Sequence, residues 1–309
     1  MSQKRTVIAI TIIFVSLVSC VFLVSGGYWL WSNFRPQPGQ QEHLIFQGVQ
    51  YQRLVRQTPR PMVIHIVTVN LRQKGLSLLV TPGDPKAEMP LKARTTGSFL
   101  EEFDLQLAVN GDGFTPWYSN SLLDYYPKAG DPVTPLGLAA SNGIVYAQNP
   151  QNHPVLYFSR NNQARFNSPP GRIYNAISGN PILVLQGREA VGGKDNQPDQ
   201  SDDSPADQPQ PRSAIGLDKS NRRLIIVVVD GRQPGYSEGA TLSELAQIMI
   251  DAGAYSGMNL DGGGSSTLVR QASNGSAETL NSPIDNHIPG RQRSVANHLG
   301  VYASALASP

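Results

Sequence analysis

The amino-acid sequence predicts an α+β fold with a mixed β-sheet core and few helices, preceded by one N-terminal transmembrane helix. Segments with alternating β-branched residues recur along most of the 309 residues, and such alternation is typical of strands. Few segments beyond the N-terminus have the periodicity of a helix. The composition, with 29 Gly, 24 Pro and 16% charged residues, suits a domain rich in strands and loops better than a helical bundle.

The first element is a charge-free apolar run at residues 7–24, just after a Lys and an Arg. About 18 such residues nearly span a bilayer as a helix, and the aromatic residues that follow the run would lie at the far interface. Residues 1–34 are therefore interpreted as a cytoplasmic tip and a signal anchor. Alternatives are a signal peptide cleaved near Ser25 and a lipid on Cys20, because LVSC resembles a lipobox. All three readings predict an extracytoplasmic main domain, in the periplasm or at the cell surface.

The rest of the chain divides into a short segment and one large domain. Residues 35–60 are predicted to be a linker and entry segment, which begins with the Pro/Gln-rich RPQPGQQ. The main domain covers residues 61–309. It contains an insertion at residues 192–211 with five Asp, four Pro and no aliphatic or aromatic side chain beyond one Ala. Such a segment cannot bury enough surface to order itself, so we predict a disordered surface insertion, with an acidic binding arm as the alternative.

The first half of the main domain is predicted to consist of strands around one short helix. Strands are expected at 62–71, 77–80, 105–110, 155–159 and 181–187, a helix at 96–103 and a hairpin at 136–148. The strand at 77–80 is expected to lie beside the strand at 62–71, across a turn at Lys74 and Gly75. Asn142-Gly143 is a strong signal for the turn of the hairpin.

The second half contains the clearest strand pair and the clearest helix. RSAIGLD (212–218) and RLIIVVVDG (223–231) read as two strands around a tight turn, and the second is apolar enough to be central in its sheet. TLSELAQIMIDAGA (241–254) begins with a capping box and has one apolar face, as a helix requires. Short strands flank a glycine-rich stretch at 258–269, and an alternating strand at 293–304 closes the chain.

The glycine-rich stretch MNLDGGGSSTLV combines groups that can bind an anion. Successive backbone N–H groups in a turn form a concave nest for an anion. The stretch is not a P-loop, because no Lys follows and the glycines lead into a strand. A bare glycine run is more typical of a tight hairpin with a bulge. The candidate binding residues here are Asn259, Asp261, Gly262, Gly263, Gly264, Ser265 and Ser266.

Further polar residues stand near predicted strand ends, where ligand sites gather in such sheets. Asp230 and Arg232 follow the strongly buried strand. Arg232 could bind a phosphate or carboxylate through two hydrogen bonds, or form a salt bridge to a nearby Asp. Each of the other candidates has a plain structural reading too, as a helix-entry, capping, turn or solvated residue: Ser237, Thr241, Glu244, Arg293, Asn297, Asn110 and Asp112.

Several kinds of chemistry find no support in the sequence. Cys20 is the only cysteine, which rules out an intramolecular disulfide and a Cys-based metal site. The five His residues have no metal-ligand spacing, and no G-x-S-x-G nucleophile elbow is present. The sequence therefore predicts neither a metal nor another cofactor. The net charge of +2 argues against a general nucleic-acid binder.

Four motifs, PRSAIGLD, VVVDGRQPGYSEGATLSELAQIM, MNLDGGGSSTLV and RSVANHLGVY, occur in an order that resembles the phosphodiester glycosidase family. The resemblance covers roughly residues 105–303 and is densest after residue 211. The family's early motif reads like Asn-Ala-Gly-Phe-Phe or Asn-Gly-Gly-Phe. Asn110 matches it, whereas Asp112 is a departure that could add an acid or a cation ligand. The motif NGDGFTPWY and the acidic insertion resemble a bacterial branch.

The resemblance implies a hydrolase that cleaves a sugar-1-phosphodiester of the N-acetylglucosamine-1-phosphate type in an envelope or extracellular glycan. Arg212, Arg232 and Arg293 could contact the phosphate, together with the glycine amides. The carboxylate near the anomeric carbon is expected to be Asp261, which would orient the sugar or a water. Asp230 is expected to be a second acid, and Glu244 is a third candidate. Because a phosphodiester leaves as a weakly basic anion, a strong general acid matters less than in ordinary glycosides.

A function from another class remains open, namely a non-catalytic glycan-binding or exopolysaccharide-related module at the cell surface. It would use the same binding residues without turnover. The expected partners are a glycan or sugar-phosphate and, through the N-terminal helix, a membrane. No protein partner is indicated.

Overall fold

The computed structural model describes residues 35–192 and 207–306, together with residues 11, 13–20, 22–23 and 25–27 near the N-terminus. The predicted transmembrane run is therefore described only in part. In the described part of the chain, no helix has both the length and the apolar character that crossing a membrane requires. Residues 193–206 of the predicted insertion lie outside the described residues.

Short strands dominate the fold. Residues 35–192 and 207–306 contain two α-helices, α1 (Thr96–Glu102) and α2 (Leu242–Asp251), and one 3-10 turn at Gly263–Ser265. The strands in the described ranges are β1 (Gln41–Phe46), β2 (Val49–Arg56), β3 (Met62–Asn70), β4 (Ser77–Val80), β5 (Leu91–Lys92), β6 (Leu107–Asn110), β7 (Phe114–Thr115), β8 (Tyr118–Ser119), β9 (Tyr125–Tyr126), β10 (Pro132–Pro135), β11 (Ala139–Ser141), β12 (Ile144–Ala147), β13 (Val155–Phe158), β14 (Ala164–Phe166), β15 (Asn175–Ser178), β16 (Ile182–Leu185), β17 (Arg188–Glu189), β18 (Arg212–Leu217), β19 (Arg223–Val229), β20 (Ser256–Asn259), β21 (Leu268–Gln271), β22 (Ala277–Thr279), β23 (Ile284–Asp285), β24 (Ile288–Pro289) and β25 (His298–Tyr302).

Three sheets enclose the main core. An eight-stranded sheet has the order β1-β2-β3-β19-β18-β20-β16-β17, and two five-stranded sheets have the orders β22-β21-β6-β25-β4 and β12-β11-β15-β13-β14. One face of the large sheet contributes Val67, Ile226 and Met258 to a core that also contains Leu107 and Leu156 of the smaller sheets. The other face packs against the apolar side of α2. The core therefore fixes where the ends of the central strands lie.

The expectation of few helices among many strands is confirmed, but the mixed sheet is not. The pairings between the named strands of the described residues are antiparallel. The predicted strand–helix–strand unit exists as β19, α2 and β20. However, β18 lies between the two strands and pairs antiparallel with both, so they are parallel to each other without being neighbours.

One further prediction about the strands is wrong, and the predicted linker and entry segment contains strands that were not expected. β4 does not lie beside β3, because β2 and β19 occupy both edges of β3, and β4 pairs with β25. Residues 35–60 are more than a linker, since β1 and β2 form a hairpin at the edge of the large sheet. Val49 and Tyr51 of β2 are buried, whereas the polar Gln50 between them is exposed.

The predicted insertion also ends earlier than residue 211. Gln210 exchanges backbone hydrogen bonds with Ala240, 3.1 Å and 3.0 Å long, and Pro211 is buried. The residues that precede β18 are therefore ordered. They lie beside the N-terminal end of α2, where backbone pairing compensates for the lack of apolar side chains.

His298 on β25 is a buried histidine that can influence stability. Its ring stacks on Phe99 with centroids 4.7 Å apart, and Nδ1 lies 3.1 Å from Thr81 Oγ1. Burial, reinforced by the positive charge of Arg94, lowers the pKa of His298 to about 3. The native ring therefore stays neutral at a pH at which the unfolded chain, with an ordinary pKa near 6.5, takes up a proton.

We expect His298 to make the protein less stable as the pH falls below about 6.5, because only the unfolded state then binds the proton. Above about pH 6.5, His298 does not reduce the free energy of unfolding. At pH 5, protonation of His298 in the unfolded state lowers the free energy of unfolding by about 2 kcal/mol, and this loss grows as the pH falls towards the native pKa. Urea unfolding at pH 7.5 and pH 5 measures the slope of the free energy of unfolding against pH. His298→Gln should reduce the slope, whereas His43→Gln, at an exposed position, should not. An equal slope in the wild type and in His298→Gln contradicts the assignment.

Candidate functional site

The ends of three central strands of the large sheet meet at one edge. Arg212 on β18 pairs with Val229 on β19, so Asp230 follows at the same edge. On the other side of β18, Ala214 pairs with Asn259 of β20. Continuing this register by two residues places Arg212 opposite Asp261. The predicted convergence of Arg212 and Asp261 follows from this pairing.

Asn110 joins this edge to the neighbouring five-stranded sheet. Its Nδ2 donates to Asp261 O at 2.7 Å, and its Oδ1 accepts from Ser213 Oγ at 2.8 Å and from Thr267 N at 3.1 Å. The backbone on both sides of the glycine turn is therefore held by one buried amide. Asn110 positions the turn and is itself fully buried.

Each of the three glycines lies against a different arginine. A Cβ atom added to Gly262 would lie 3.9 Å from Arg212 Nη1, one on Gly263 3.1 Å from Arg232 Nη2, and one on Gly264 2.5 Å from Arg293 Nη2. Arg232 and Arg293 can approach the turn this closely because Gly263 and Gly264 have no side chains, whereas Arg212 is at an ordinary contact distance from Gly262. Three arginines that are far apart in the sequence therefore surround one short turn, as predicted.

The anion nest predicted for the glycine amides is smaller than expected. Gly263 has φ +58°, a left-handed conformation that favours glycine. Its N–H donates to Pro211 O at 2.8 Å, so this amide is already engaged. The positive charge around the turn is thus supplied mainly by the guanidinium groups.

Backbone and side-chain acceptors fix Arg212 and Arg232. Arg212 is buried, and its Nε and Nη2 each donate to a backbone oxygen, at Ala240 and Gln208, over 3.2 Å. Arg232 also has a left-handed backbone, with φ 56°. Its Nε donates to Gln210 Oε1 at 2.6 Å. The short segment before β18 therefore helps to orient both side chains.

Arg293 is held by a carboxylate that the sequence analysis did not identify. Its Nε donates to Asp285 Oδ1 at 2.9 Å, and its Nη1 lies 3.4 Å from Ser265 Oγ. Asp285 also pairs with Arg291 at 3.2 Å. The other side of the Arg293 guanidinium faces the ring of Trp117, 4.9 Å from the centroid. Asp285 gave no signal in the sequence, and in the structure it is the last residue of β23.

Asp230 does not reach the surface of the site. It is fully buried, and its Oδ1 accepts from Asn281 Nδ2 at 3.1 Å and from Ser282 N at 2.7 Å. Its Oδ2 lies 3.1 Å from His65 Nε2 and 3.4 Å from Tyr236 Oη. Burial, with the negative charge of Asp230, raises the pKa of Tyr236, so the phenol stays protonated. This arrangement favours a structural role over that of a second acid.

Ser237 and Thr241 are also used by the fold. Ser237 Oγ donates to Asp230 O at 2.6 Å and accepts from Val63 N at 3.0 Å, which ties β3 to the end of β19. Thr241 caps α2 by accepting from Glu244 N at 3.1 Å, and Glu244 accepts from Thr241 N at 2.8 Å. The predicted capping box is confirmed. Glu244 also pairs with Arg60.

We expect Glu244→Gln to retain turnover within about twofold, because Oε2 of Glu244 accepts from both the backbone N–H of Thr241 and the side chain of Arg60 and is thus engaged by the fold. The loss of the Arg60 pair should lower the free energy of unfolding by about 0.5–1 kcal/mol. Steady-state sugar release and urea unfolding measure the two effects. A loss of turnover with unchanged stability would instead assign Glu244 to the chemistry.

Asp112 fixes a loop next to Asn110. Its carboxylate accepts from Gly113 N at 2.8 Å, from Gly137 N at 3.1 Å and from Ser178 Oγ. Its own N–H donates to Asn297 Oδ1 at 3.0 Å. Protein donors thus surround the buried carboxylate, which fits loop positioning better than the additional acid or cation ligand considered from the sequence.

Three of the predicted residues retain a buried polar atom without a hydrogen-bond partner among the described residues. These atoms are Asn297 Nδ2, Asn259 Oδ1 and Ser266 Oγ. Buried polar groups are rarely left unsatisfied in native proteins. All three residues belong to segments that adjoin Asp261 or the glycine turn.

Comparisons with known proteins identify a family and related folds. The family model described as phosphodiester glycosidase matches residues 103–302. No curated protein matches the chain.

Several solved structures share the fold, including the following two. A hypothetical protein from Synechocystis has a TM-score of 0.62 at 17% identity, covering 86% of this chain and 64% of its own. The catalytic domain of zebrafish N-acetylglucosamine-1-phosphodiester alpha-N-acetylglucosaminidase, auto-inhibited by its pro-peptide, has a TM-score of 0.56 at 19% identity, covering 87% and 85%. This chain thus spans less than two thirds of the Synechocystis protein. The family match, which covers most of the chain, shows that this protein belongs to the phosphodiester glycosidase family.

Proposed function

We propose that the protein is a glycosidase that hydrolyses a sugar-1-phosphodiester, of the N-acetylglucosamine-1-phosphate type, in an envelope or extracellular glycan. The observation that carries this proposal is the convergence of Arg212, Arg232 and Arg293 on the glycine turn. The membership of the phosphodiester glycosidase family supports the same reaction. The apolar run at residues 7–24 supports a membrane-anchored protein whose main domain acts outside the cytoplasm.

Three guanidinium groups suit a phosphodiester better than a neutral glycoside. A phosphodiester carries one negative charge and gains a second as its sugar bond breaks, so cations held in place stabilise the transition state more than the bound substrate. Of the three, Arg293 is paired with Asp285, which lowers the local excess of charge.

Asp261 is the carboxylate best placed to assist the reaction. It is partly exposed, opposite Arg212 in the strand register, and directly precedes the glycine turn. In the proposed step, water adds to the anomeric carbon while the bond from this carbon to the phosphate oxygen breaks. Asp261 orients the water and accepts its proton, and the phosphate leaves as a monoester. Asp230 and Glu244 are engaged elsewhere and take no part.

Asp261→Asn should lower kcat for sugar release by at least about 1000-fold in a protein that remains folded at the assay temperature. The assay uses the full chain with methyl and chromogenic diesters of N-acetylglucosamine-1-phosphate. Asp251→Asn, at an exposed position on α2, is the matched control and should retain activity. Tight glycan binding without release by the wild type would contradict the enzyme and favour the non-catalytic module.

A further inference from the structure

A hairpin beside the site exposes a cluster of large apolar side chains. This hairpin, residues 117–126, contains β8 and β9, which pair with each other. Trp117 is 41% exposed, Tyr118 45%, Leu122 54% and Leu123 88%. Single exposed apolar residues are common, but a contiguous cluster on a projecting loop marks an interaction surface.

The tip of this hairpin has a defined shape. The N–H groups of Asn120 and Ser121 donate to Asp124 O at 2.9 Å and 3.1 Å. Ser121 Oγ accepts from the N–H groups of Leu123 and Asp124 at 3.3 Å and 3.0 Å. These bonds hold both leucines outward. They also satisfy backbone groups locally, which reduces the free energy needed to move the tip out of water.

The aromatic residues of the hairpin form a layer behind the leucines. Tyr118 stacks on Tyr126, with centroids 6.0 Å apart. The ring of Tyr125 contacts two cations, Arg291 at 5.2 Å and Lys128 at 5.7 Å. Going away from the apex, the hairpin presents aliphatic side chains, then aromatic rings and then cations. The same order is found at a membrane–water interface. A sugar would need free aromatic faces, whereas the most exposed groups here are aliphatic.

The chain enters the domain on the same side as the hairpin. Arg35 Nη1 donates to Ser282 Oγ at 2.8 Å, and Ser119 Oγ at the hairpin donates to Asn286 Oδ1 at 2.5 Å. Residues 282–286 thus contact both Arg35, where the chain enters the domain, and the hairpin. Only ten residues separate the apolar run at 7–24 from Arg35, a reach of at most about 40 Å. A bilayer that contains this run would lie within reach of the hairpin.

We propose that the hairpin is a membrane-docking element, which inserts Leu122 and Leu123 into the interfacial region of a lipid bilayer. The aromatic layer then lies at the level of the headgroups. Trp117 contacts Arg293, which lies against the glycine turn. The turn therefore lies near the level of the lipid headgroups. The domain is thereby oriented towards phosphodiesters at the membrane surface.

The attraction is apolar and not electrostatic. Arg291 near the hairpin is paired with Asp285 at 3.2 Å, and the carboxylate of Asp131 lies beside Lys128, where it accepts from the backbone N–H of that residue at 2.8 Å. Docking should therefore occur on zwitterionic phosphatidylcholine and should not weaken with salt. This property separates the proposal from binding of a basic patch to anionic lipid.

The test places an environment-sensitive fluorophore on the tip. The full chain carries Cys20→Ser, which removes the only cysteine, and either Leu123→Cys or Ile144→Cys. Ile144 is the matched control because it is an aliphatic residue, 51% exposed, on another sheet. The label reports only its own surroundings, so membrane association through the N-terminal run does not produce the signal.

With phosphatidylcholine vesicles, the label at 123 should brighten at least twofold and be quenched by nitroxide-bearing lipid. The label at 144 should not change. The signal should be the same in 50 mM and 500 mM salt, and Leu122→Asp in the 123-labelled chain should reduce it at least fivefold. Equal behaviour of both labels, or a signal that appears with a soluble oligosaccharide in place of vesicles, would overturn the proposal. Turnover is not measured, so the result is independent of the glycosidase proposal.

Discussion

Gly264→Ala is expected to lower kcat/KM for sugar release by about 100-fold, or about 2.7 kcal/mol, in a protein that remains folded. The new methyl group would lie 2.5 Å from Arg293 Nη2 and 3.0 Å from Asp285 Oδ1. The guanidinium must therefore leave its position against the turn. It cannot tilt freely, because Asp285 holds its Nε and Trp117 lies on its other side.

The effect should be confined to the site. Gly264, unlike Gly263, has no left-handed backbone conformation, so alanine adds no backbone strain there. Gly39→Ala is the matched control, because a Cβ at Gly39 meets no atom within 4 Å. Thermal unfolding and steady-state kinetics on the same preparations separate folding from chemistry. Activity within threefold of the wild type would show that Arg293 does not contact the reacting phosphate.

The strongest local patterns of the sequence predicted the fold where they were present. β18, β19 and α2 combine dense apolar periodicity with a tight turn or a capping box, and all three were found. β2 was missed because its alternation is short: only Val49 and Tyr51 are buried, and several of the residues that follow them are polar. The partner of β4 could not be predicted, because β25 lies more than 200 residues further along the chain and pairing over such distances leaves no local trace.

The approximate place of the site was also predicted from local sequence patterns. Glycines and arginines at strand ends are visible in a sequence, and the convergence of Arg212, Arg232 and Arg293 on the glycine turn follows from strand register. The partners that decide a role are not visible. Asp230 was expected to be an acid because it ends a buried strand, but the donors that engage it come from distant segments of the chain. Asp285 was overlooked because nothing in its neighbourhood has a pattern.

Asp230→Ala should lower the free energy of unfolding by about 3–5 kcal/mol, because it removes the acceptor from a buried polar network. Ser282 N and Asn281 Nδ2 would lose their hydrogen bonds to Oδ1. His65, whose Nδ1 lies 2.8 Å from Tyr51 Oη, would keep only that partner. The network joins β2, β3 and β19 to the segment at residue 281, so its loss should loosen the edge of the sheet that supports the site.

The decisive comparison is between Asp230→Asn and Asp261→Asn. Asp230→Asn keeps the volume but turns one acceptor into a donor that faces other donors, so urea unfolding should show a loss of about 2–3 kcal/mol. In the absence of urea and well below its thermal unfolding temperature, this variant should still release sugar at a rate within about tenfold of the wild-type rate. Asp261→Asn should show the opposite pattern, with a smaller loss of stability than Asp230→Asn and at least about 1000-fold less turnover. If Asp230→Asn instead abolished turnover at full stability, its buried carboxylate would have to become exposed during the reaction, and a structural role for it would be wrong.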